Sequence, residues 1–132
     1  MDEQTRQNIL AAMEGEAMAT ARYMLFAEQA RRNGRVELAS LFEQAANAAL
    51  HEHFAGLGAL VGVVGVDDAN LAASIDGERY ESETLYRRFA AEAKEAGDTA
   101  AAARFDELRK NGRAHMTAFR AELRRSGSSS RR

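Results

Sequence analysis

The first third of the chain carries apolar residues at the spacing of three and four that marks a helix with one buried face. One acid, Glu16, lies inside this stripe. A carboxylate at such a position costs several kcal/mol unless it is paired, protonated or bound to a metal ion. The pattern therefore predicts a partner for Glu16 elsewhere in the chain. The apolar members of the stripe are Ile9, Met13, Ala19, Tyr23, Ala27 and Ala30.

Turns that contain glycine divide the chain into four predicted helices. The second helix is expected from about Val36 to about Leu60. The segment GVVGVDDAN is the one long connection, and it precedes the third helix. Aspartates next to the expected helix starts are suitable N-caps. The boundaries are RRNGR (31–35), GVVGVDDAN (62–70) and Gly97, with Asp67 or Asp68 capping the third helix and Asp98 capping the fourth.

The three later helices have apolar stripes of the same kind as the first. Four amphipathic helices joined in this order predict an all-α fold, a four-helix bundle of two helical hairpins with a crossover connection. The bundle is expected over residues 1–125, and SGSSSRR (126–132) is expected to be a disordered polar tail. The stripes are Leu38, Phe42, Ala45, Ala49 and Gly56; Leu71, Ile75, Leu85, Phe89 and Ala93; and Ala101, Phe105, Leu108, Gly112 and Phe119.

The two halves of the chain resemble each other. Residues 15–34 and 77–97 both run from Gly-Glu through tyrosine, phenylalanine and alanine to a closing glycine. Each closing glycine is followed eight residues later by a phenylalanine, Phe42 or Phe105. Histidines follow these phenylalanines by eleven and ten residues, respectively. The pattern indicates an internal duplication of a helix pair.

Each stripe has a polar interruption, and the four interruptions are expected at similar depth in the bundle. Glu78 and Glu81 are three residues apart, so both carboxylates can share one helix face. Carboxylate oxygens together with one or two imidazoles suit iron or manganese. The sequence therefore predicts a metal site. Its candidate ligands are Glu16, Glu52 or His53, Glu78, Glu81 and His115.

Composition excludes several functional classes. The 132 residues predict one domain, and the net charge of −2 gives no basic surplus for nucleic acid. The absence of cysteine excludes disulfides, iron–sulfur clusters, thiol catalysis and any rubredoxin-type iron site on this chain. No apolar run reaches the length that spans a membrane, and the N-terminus lacks the pattern of a signal peptide. These features predict a soluble cytoplasmic protein.

Two long segments resemble the ferritin-like di-iron domain of rubrerythrin. They are NILAAMEGEAMATARYMLFAEQARRNG and ANLAASIDGERYESETLYRRFAAEAKEAG, and the resemblance covers about residues 8–123. The strongest parts are Gly-Glu…Arg-Tyr…Phe at 15–26 and Ala-Asn-Leu…Gly-Glu-x-Tyr-Glu at 69–81. The resemblance implies a protein that holds two irons between its helices and reduces hydrogen peroxide. It also implies a homodimer.

The resemblance assigns roles to particular residues. Glu16 and Glu78 resemble the lone glutamates of the family's first and third helices. Glu81 resembles the extra carboxylate that separates rubrerythrins from plain ferritins. Tyr23 and Tyr86 resemble the tyrosines that lie near the metal site.

The sequence departs from the family at the two bridging glutamates. The family's second and fourth helices each carry Glu-x-x-His, which this sequence lacks. On the fourth helix His115 is in place, but Gly112 stands at the glutamate position. On the second helix two alignments are open. The glutamate and histidine positions hold Ala49 and Glu52 without a gap, or Leu50 and His53 if the helix carries one extra residue as a π-bulge.

Loss of both bridges should weaken a conventional di-iron centre, because bridging carboxylates neutralise and tether two cations that otherwise repel. The remaining ligands are sufficient for one metal ion. Gly112 and Ala49 are also expected to leave space beside these ligands for water, an exogenous ligand or a small substrate.

The preferred hypothesis is a rubrerythrin-like, metal-dependent redox protein that uses peroxide or dioxygen as oxidant. Its site would be mononuclear or a weakened di-metal site, with iron or manganese as the metal. Because the chain has no cysteine-bound iron, a separate electron donor or the substrate itself would supply electrons. Two alternatives stay open: a metal-free scaffold or binding module whose acids pair with Arg and His neighbours, and a remodelled metal-dependent oxygenase.

Overall fold

The computed structural model describes the backbone of residues 1–130 and the side chains of residues 1–127, and nearly all of these residues are helical. Two of the long helices contain a short π-helical segment, and no strand occurs within residues 1–130. The all-α prediction is confirmed. The elements are α1 (Glu3–Arg32), α2 (Val36–Ala48), π1 (Ala49–Phe54), α3 (Ala55–Val61), α4 (Asp67–Tyr80), π2 (Glu81–Leu85), α5 (Tyr86–Glu95) and α6 (Thr99–Ser130).

The chain divides into two compact units, each of which is a helical hairpin. The first hairpin, Met1–Val64, packs α1 against the continuous helix formed by α2, π1 and α3. The second hairpin, Gly65–Arg132, packs the continuous helix formed by α4, π2 and α5 against α6. The predicted order of two helical hairpins is thus confirmed.

The turns within the two hairpins have the same structure. In the first, Gly34 adopts a left-handed conformation (φ 71°), which glycine reaches without steric cost. The next N–H, of Arg35, donates to the carbonyl of Ala30 at 2.8 Å and so satisfies an orphan carbonyl at the end of α1. This equivalence supports the predicted duplication. The corresponding residues of the second hairpin are Gly97 (φ 83°), Asp98 and Ala93, with a bond of 2.8 Å.

Most of the predicted stripes lie on the faces that pack within each hairpin. Gly56, which was expected on that face, is exposed, and Gly58 is buried instead, because π1 adds one residue and shifts the face that follows it. On α6 the packed face departs from the predicted stripe at Leu108, which is 37% exposed, while Arg109 is partly buried. The buried apolar residues include Ile9, Met13, Ala27, Ala30, Ala39, Ala46 and Ala49 in the first hairpin and Ile75, Ala90 and Met116 in the second.

The start of α4 differs from the expected aspartate cap. Asp67 is already the first helical residue, and Val66 occupies the cap position without a side-chain hydrogen bond to the helix. The side chain of Asn70 instead makes two hydrogen bonds to the backbone of Gly65, the residue before the cap. The N–H of Gly65 donates to Asn70 Oδ1 at 2.8 Å, and Asn70 Nδ2 donates to the Gly65 carbonyl at 2.9 Å. The long connection is consequently shorter than expected.

The segment 126–132, for which the sequence predicts a disordered polar tail, begins within α6. Residues 126–130 are helical, and residues 131–132 lie outside the described part of the chain. The hydroxyl of Ser126 donates to Asp68 Oδ1 at 2.6 Å. Within the described residues, every helix is too short or too polar to cross a membrane.

Candidate functional site

The first hairpin brings Glu16 of α1 beside His53 of π1. The distance from His53 Nδ1 to Glu16 Oε2 is 3.3 Å. The side chains are 31% exposed for Glu16 and 56% exposed for His53. Of the two candidates on this helix, the structure therefore places His53 at the acid, while Glu52 is exposed.

The second hairpin contains a pair of the same kind. His115 Nδ1 of α6 lies 3.3 Å from Oε1 of Glu78 of α4. Glu78 is 23% exposed and His115 is 61% exposed. In both hairpins the acid and the imidazole are separated by 37 residues. We call these contacts the acid–imidazole pairs.

The two π segments explain how both pairs keep this separation. Acid and following tyrosine are seven residues apart in the first hairpin and eight in the second, where π2 lies between them. Phenylalanine and following histidine are eleven residues apart in the first hairpin, where π1 lies between them, and ten in the second. Each π segment therefore accommodates one residue that the other hairpin lacks. The residues compared are Glu16, Tyr23, Phe42 and His53 with Glu78, Tyr86, Phe105 and His115.

The predicted extra residue of the second helix is thus present as π1, which is the bulge expected if His53 rather than Glu52 occupies the histidine position. Residues of π1 divide between two surroundings. His53 faces the acid, whereas Leu50, His51 and Phe54 line a cavity of about 470 Å³ with residues of α3 and the following connection. That cavity contains none of the predicted ligands.

Glu81 and Tyr86 belong to the surroundings of the second acid–imidazole pair. Glu81 is partly buried at the start of π2. Burial raises the pKa of Tyr86 above its usual value of 10.0, and the negative charges of Glu81 and Glu78 raise it further. Tyr86 therefore holds its proton more firmly than a free tyrosine, within electrostatic reach of both carboxylates.

Both predicted tyrosines lie in aromatic clusters that repeat between the hairpins. The ring of Tyr23 stacks on Phe42 with a centroid distance of 6.2 Å, and Phe26 contacts Phe42 edge-on at 5.4 Å. Such clusters fix ring positions through packing. The second cluster consists of Tyr86 and Phe105 at 6.2 Å and of Phe89 and Phe105 at 5.5 Å.

The space expected beside Gly112 is not open. A Cβ atom at residue 112 would lie 2.9 Å from Glu78 Oε2 and 3.3 Å from the Cβ of Ser82. The expectation of room for a substrate there is wrong, because the carboxylate of Glu78 on the facing helix occupies the space that a side chain at 112 would fill. In the first hairpin Ala49 is buried, at 3% exposed.

Ser82 is a residue that sequence reasoning did not single out. It is fully buried, and its hydroxyl has no hydrogen-bond partner among the described residues. Thr20, four residues after Glu16 as Ser82 is four after Glu78, instead donates its hydroxyl to the Glu16 carbonyl at 2.9 Å. The repeat could have drawn attention to Ser82, but π2, which removes the equivalent bond, is not evident from spacing alone.

The acid–imidazole pairs have the chemistry and the spacing of metal ligands. Two donor atoms that occupy adjacent positions around one octahedral ion at about 2.1 Å lie about 3 Å apart, close to the separation in each pair. Mixed carboxylate and imidazole donors suit iron and manganese. Within residues 1–127, however, no group of three or more His, Cys, Asp or Glu side chains is arranged to hold a metal ion. Each hairpin thus presents two of the ligands that an ion would need.

Comparison with known proteins identifies the family of the chain. The rubrerythrin family model matches residues 51–123, which is more than half of the chain. The chain belongs to the rubrerythrin family. The matched region of this rubrerythrin-family protein contains His53, the whole second acid–imidazole pair and Glu81, whereas Glu16 lies before it. The resemblance stated from the sequence motifs is confirmed.

Three relatives have similar degrees of identity to this rubrerythrin-family chain. It is 33% identical over 106 residues to a rubrerythrin from Nitratidesulfovibrio vulgaris, an alignment that covers 70% of the chain and 55% of the relative. It is 35% identical over 111 residues to nigerythrin from the same organism, with 74% and 54% covered. It is 33% identical over 119 residues to a rubrerythrin from Porphyromonas gingivalis, with 80% and 59% covered. The chain therefore spans less than two thirds of the length of these relatives.

Proposed function

We propose that this chain is a metal-dependent redox protein that uses peroxide or dioxygen as its oxidant. The observation that carries the proposal is the acid–imidazole pair, which recurs in both hairpins with the same 3.3 Å contact and the same separation along the chain. Membership of the rubrerythrin family supports the redox assignment. The donor types support iron or manganese.

The proposed ligands fall into two groups, one within each hairpin. Glu16 and His53 would serve in the first hairpin, and Glu78, Glu81 and His115 in the second. A bound iron or manganese ion would supply the change of oxidation state that reduction of a peroxide requires. Glu52, exposed on π1, is not assigned a role.

The side chains of the site would orient donors and hold protons. Each carboxylate faces the Nδ1 atom of its histidine, so binding through Nδ1 leaves the ring proton on Nε2. Tyr86, whose pKa is raised above 10.0, is protonated at neutral pH, and its hydroxyl would be available as a hydrogen-bond donor near Glu78. Reduction of one peroxide to two waters consumes two electrons and two protons. The electrons would come from a separate donor protein or from the substrate, because the chain contains no cysteine.

We further propose that the site differs from a conventional di-iron centre. The family's two bridging glutamates are replaced by Gly112 and, with His53 as the ligand of the second helix, by Leu50. Without bridges, two neighbouring cations repel each other and are held less firmly. The chain would therefore bind one ion tightly, or two ions weakly.

A cytoplasmic location stays a prediction of the sequence.

A homodimer is also part of the proposal, and the surface of the first hairpin supports it. Several large apolar side chains of this hairpin are exposed to solvent, and exposed apolar patches mark interaction surfaces. They include Met18 (55% exposed), Met24 (56%), Leu25 (60%), Phe26 (47%), Leu41 (61%) and Leu60 (61%).

Metal analysis after reconstitution with Fe(II) or Mn(II), together with a peroxide-reduction assay, tests the proposed function. We expect close to one tightly bound ion per chain, and at least a tenfold loss of affinity in Glu16→Gln and in His115→Gln. Glu52→Gln is the matched control, which should bind metal and reduce peroxide as the wild-type protein does. About two tightly bound ions per chain would contradict the altered site.

A metal-free scaffold is the second candidate, and one observation favours it. Each acid already has an imidazole partner, so the acids need no metal ion to be satisfied. A protein that binds neither iron nor manganese after reconstitution, and that does not consume peroxide, would establish the scaffold and refute the redox proposal.

A further inference from the structure

At Gly112, α6 lies close against Glu78 and Ser82 of the facing helix. A Cβ atom added to this buried glycine would lie 2.9 Å from Glu78 Oε2, a separation shorter than side-chain carbons normally reach. It would also lie 3.3 Å from Ser82 Cβ and 3.9 Å from the carbonyl oxygen of Glu78. A residue larger than glycine therefore fits at 112 only if the Glu78 carboxylate moves away.

The same carboxylate is held at its other oxygen. Glu78 Oε1 lies 3.3 Å from His115 Nδ1, one helical turn along α6 from Gly112. One oxygen of Glu78 thus lies over the backbone of α6, while the other meets the imidazole of that helix. Movement of the carboxylate away from residue 112 would also change its position relative to His115.

Glycine at this point is not required for packing of the helix pair. In the first hairpin the residue that matches Gly112 is Ala49 when counted from Phe42, or Leu50 when counted back from His53, and neither is glycine. Ala49 is buried and keeps its methyl group. Glycine is also the less favourable residue in a helix interior, by a factor of about five in an unfolding equilibrium constant relative to alanine. Its presence at 112 therefore calls for a local reason.

We propose that Gly112 is a positioning residue for Glu78. Because residue 112 has no side chain, the Glu78 carboxylate reaches across to α6, occupies the space that a side chain would fill and meets His115 from there. The carboxylate that lies beside Gly112 and His115 of α6 is thus that of Glu78 on α4. The steric statement is independent of metal, whereas its meaning for metal binding rests on the proposed function.

The chain offers a matched control for this proposal. Gly77 lies in α4 of the same hairpin, and a Cβ atom there would meet nothing within 4 Å. Alanine at either glycine gains the same helix propensity, but only alanine at 112 meets the carboxylate. A difference between the two variants therefore reports the contacts of a methyl group at 112 with Glu78 and Ser82, and removal of the Glu78 side chain separates the two.

Denaturant unfolding of the full-length, chelator-treated protein provides the test. We expect Gly77→Ala to lower the unfolding equilibrium constant about fivefold. Gly112→Ala should not lower it, and should raise it if Glu78 cannot move. When Glu78→Ala is introduced first, Gly112→Ala should become stabilising by nearly the same factor as Gly77→Ala. If Gly112→Ala alone does not fold, recovery of folding in the double variant supports the proposal equally.

Equal stabilisation by alanine at 112 and at 77 in the wild-type background would overturn the proposal. So would a penalty at 112 that persists after removal of the Glu78 side chain, because another contact would then be responsible. Iron(II) and manganese(II) affinities separate this proposal from the proposed function. If the unfolding cycle behaves as expected while Gly112→Ala binds metal as tightly as Gly77→Ala, Gly112 positions Glu78 but Glu78 is not a ligand.

Discussion

At the scale of single residues, the unfavourable features of the chain gather in one place. Glycine at 112 is less favourable in a helix interior than alanine by about 1 kcal/mol. The buried hydroxyl of Ser82, which has no partner among the described residues, lies next to it and represents a cost of about 1–3 kcal/mol. The Glu78–His115 contact does not offset the two costs together, because pairs this exposed contribute about 1 kcal/mol at most. Local violations of folding rules of this kind are expected at functional sites rather than in structural cores.

The ionisation of Tyr86 is expected to occur at higher pH than that of a free tyrosine. Its pKa is raised by burial first and then by Glu81 and Glu78, so in the chelator-treated protein it should ionise above pH 10.0. A tyrosine whose pKa is higher in the folded state stabilises the fold below the unfolded value, and this stability is lost as pH rises through that value toward the folded pKa. Ultraviolet absorbance of tyrosinate should show the late ionisation.

The difference spectrum between wild-type protein and Tyr86→Phe isolates the signal of this one residue. Glu81→Gln should bring the pKa of Tyr86 closer to 10.0, because it removes one of the two charges. An unchanged titration in Glu81→Gln would contradict the placement of that carboxylate near the tyrosine.

Sequence reasoning identified both acids and both histidines from stripe positions and repeat spacing. It could not find the contact of Glu78 with Gly112. A glycine at 112 predicts empty space beside the helix unless the position of the Glu78 side chain on the facing helix is known. The choice between Glu52 and His53 was equally out of reach, since it depends on whether one extra residue is absorbed within the helix. Metal content is a property that neither the stripe positions nor the acid–imidazole pairs determine by themselves.

At the scale of helices, glycine turns and apolar periodicity were sufficient to place nearly every boundary. The π segments are the exception, because a helix that absorbs an extra residue has the same residue types as one that does not. Only comparison of the two halves exposes them. Their positions differ: π1 lies on the second helix of its hairpin and π2 on the first helix of its own.

Deletion of Leu50 tests the role of π1. It shortens the spacing from Phe42 to His53 to that found in the second hairpin, so we expect π1 to become regular α-helix with His53 still beside Glu16. The helix should gain stability, seen as a higher midpoint of denaturant unfolding, and nuclear Overhauser contacts should still connect the two side chains.

Deletion of Arg113 is the matched control for this experiment. It lies between Gly112 and His115, where α6 has no π segment to absorb the change. The deletion should therefore rotate His115 away from Glu78 and lower stability. Loss of the His53 contact in the Leu50 deletion would show that π1 is needed to place the imidazole.

At the scale of the whole molecule, the duplication organises the chain. The two hairpins repeat the turn hydrogen bonds, the aromatic clusters and the acid–imidazole pairs, yet they differ in surface. Most of the strongly exposed large apolar side chains in the described residues belong to the first hairpin. Family membership and the helical-hairpin order followed from sequence, whereas the partner of this apolar surface did not.

Assembly of the molecule is open to direct measurement. Sedimentation equilibrium should give twice the chain mass of 14.4 kDa. Leu25→Glu should weaken the dimer, because it places a charge on the apolar surface of α1, whereas Gln29→Glu on the same helix should not. A wild-type protein that stays at the mass of one chain, or two variants with equal effects, would exclude this surface as the dimer contact.

Under the predicted duplication, the unshared π segments imply an order of events. Both changes of length come after the copying of the hairpin, because neither extra residue has a counterpart in the other hairpin. The two hairpins differ in helix regularity while they share one contact between a carboxylate and an imidazole. What the two copies have in common is thus a distance between two side chains, whereas the regularity of the helices that carry them differs.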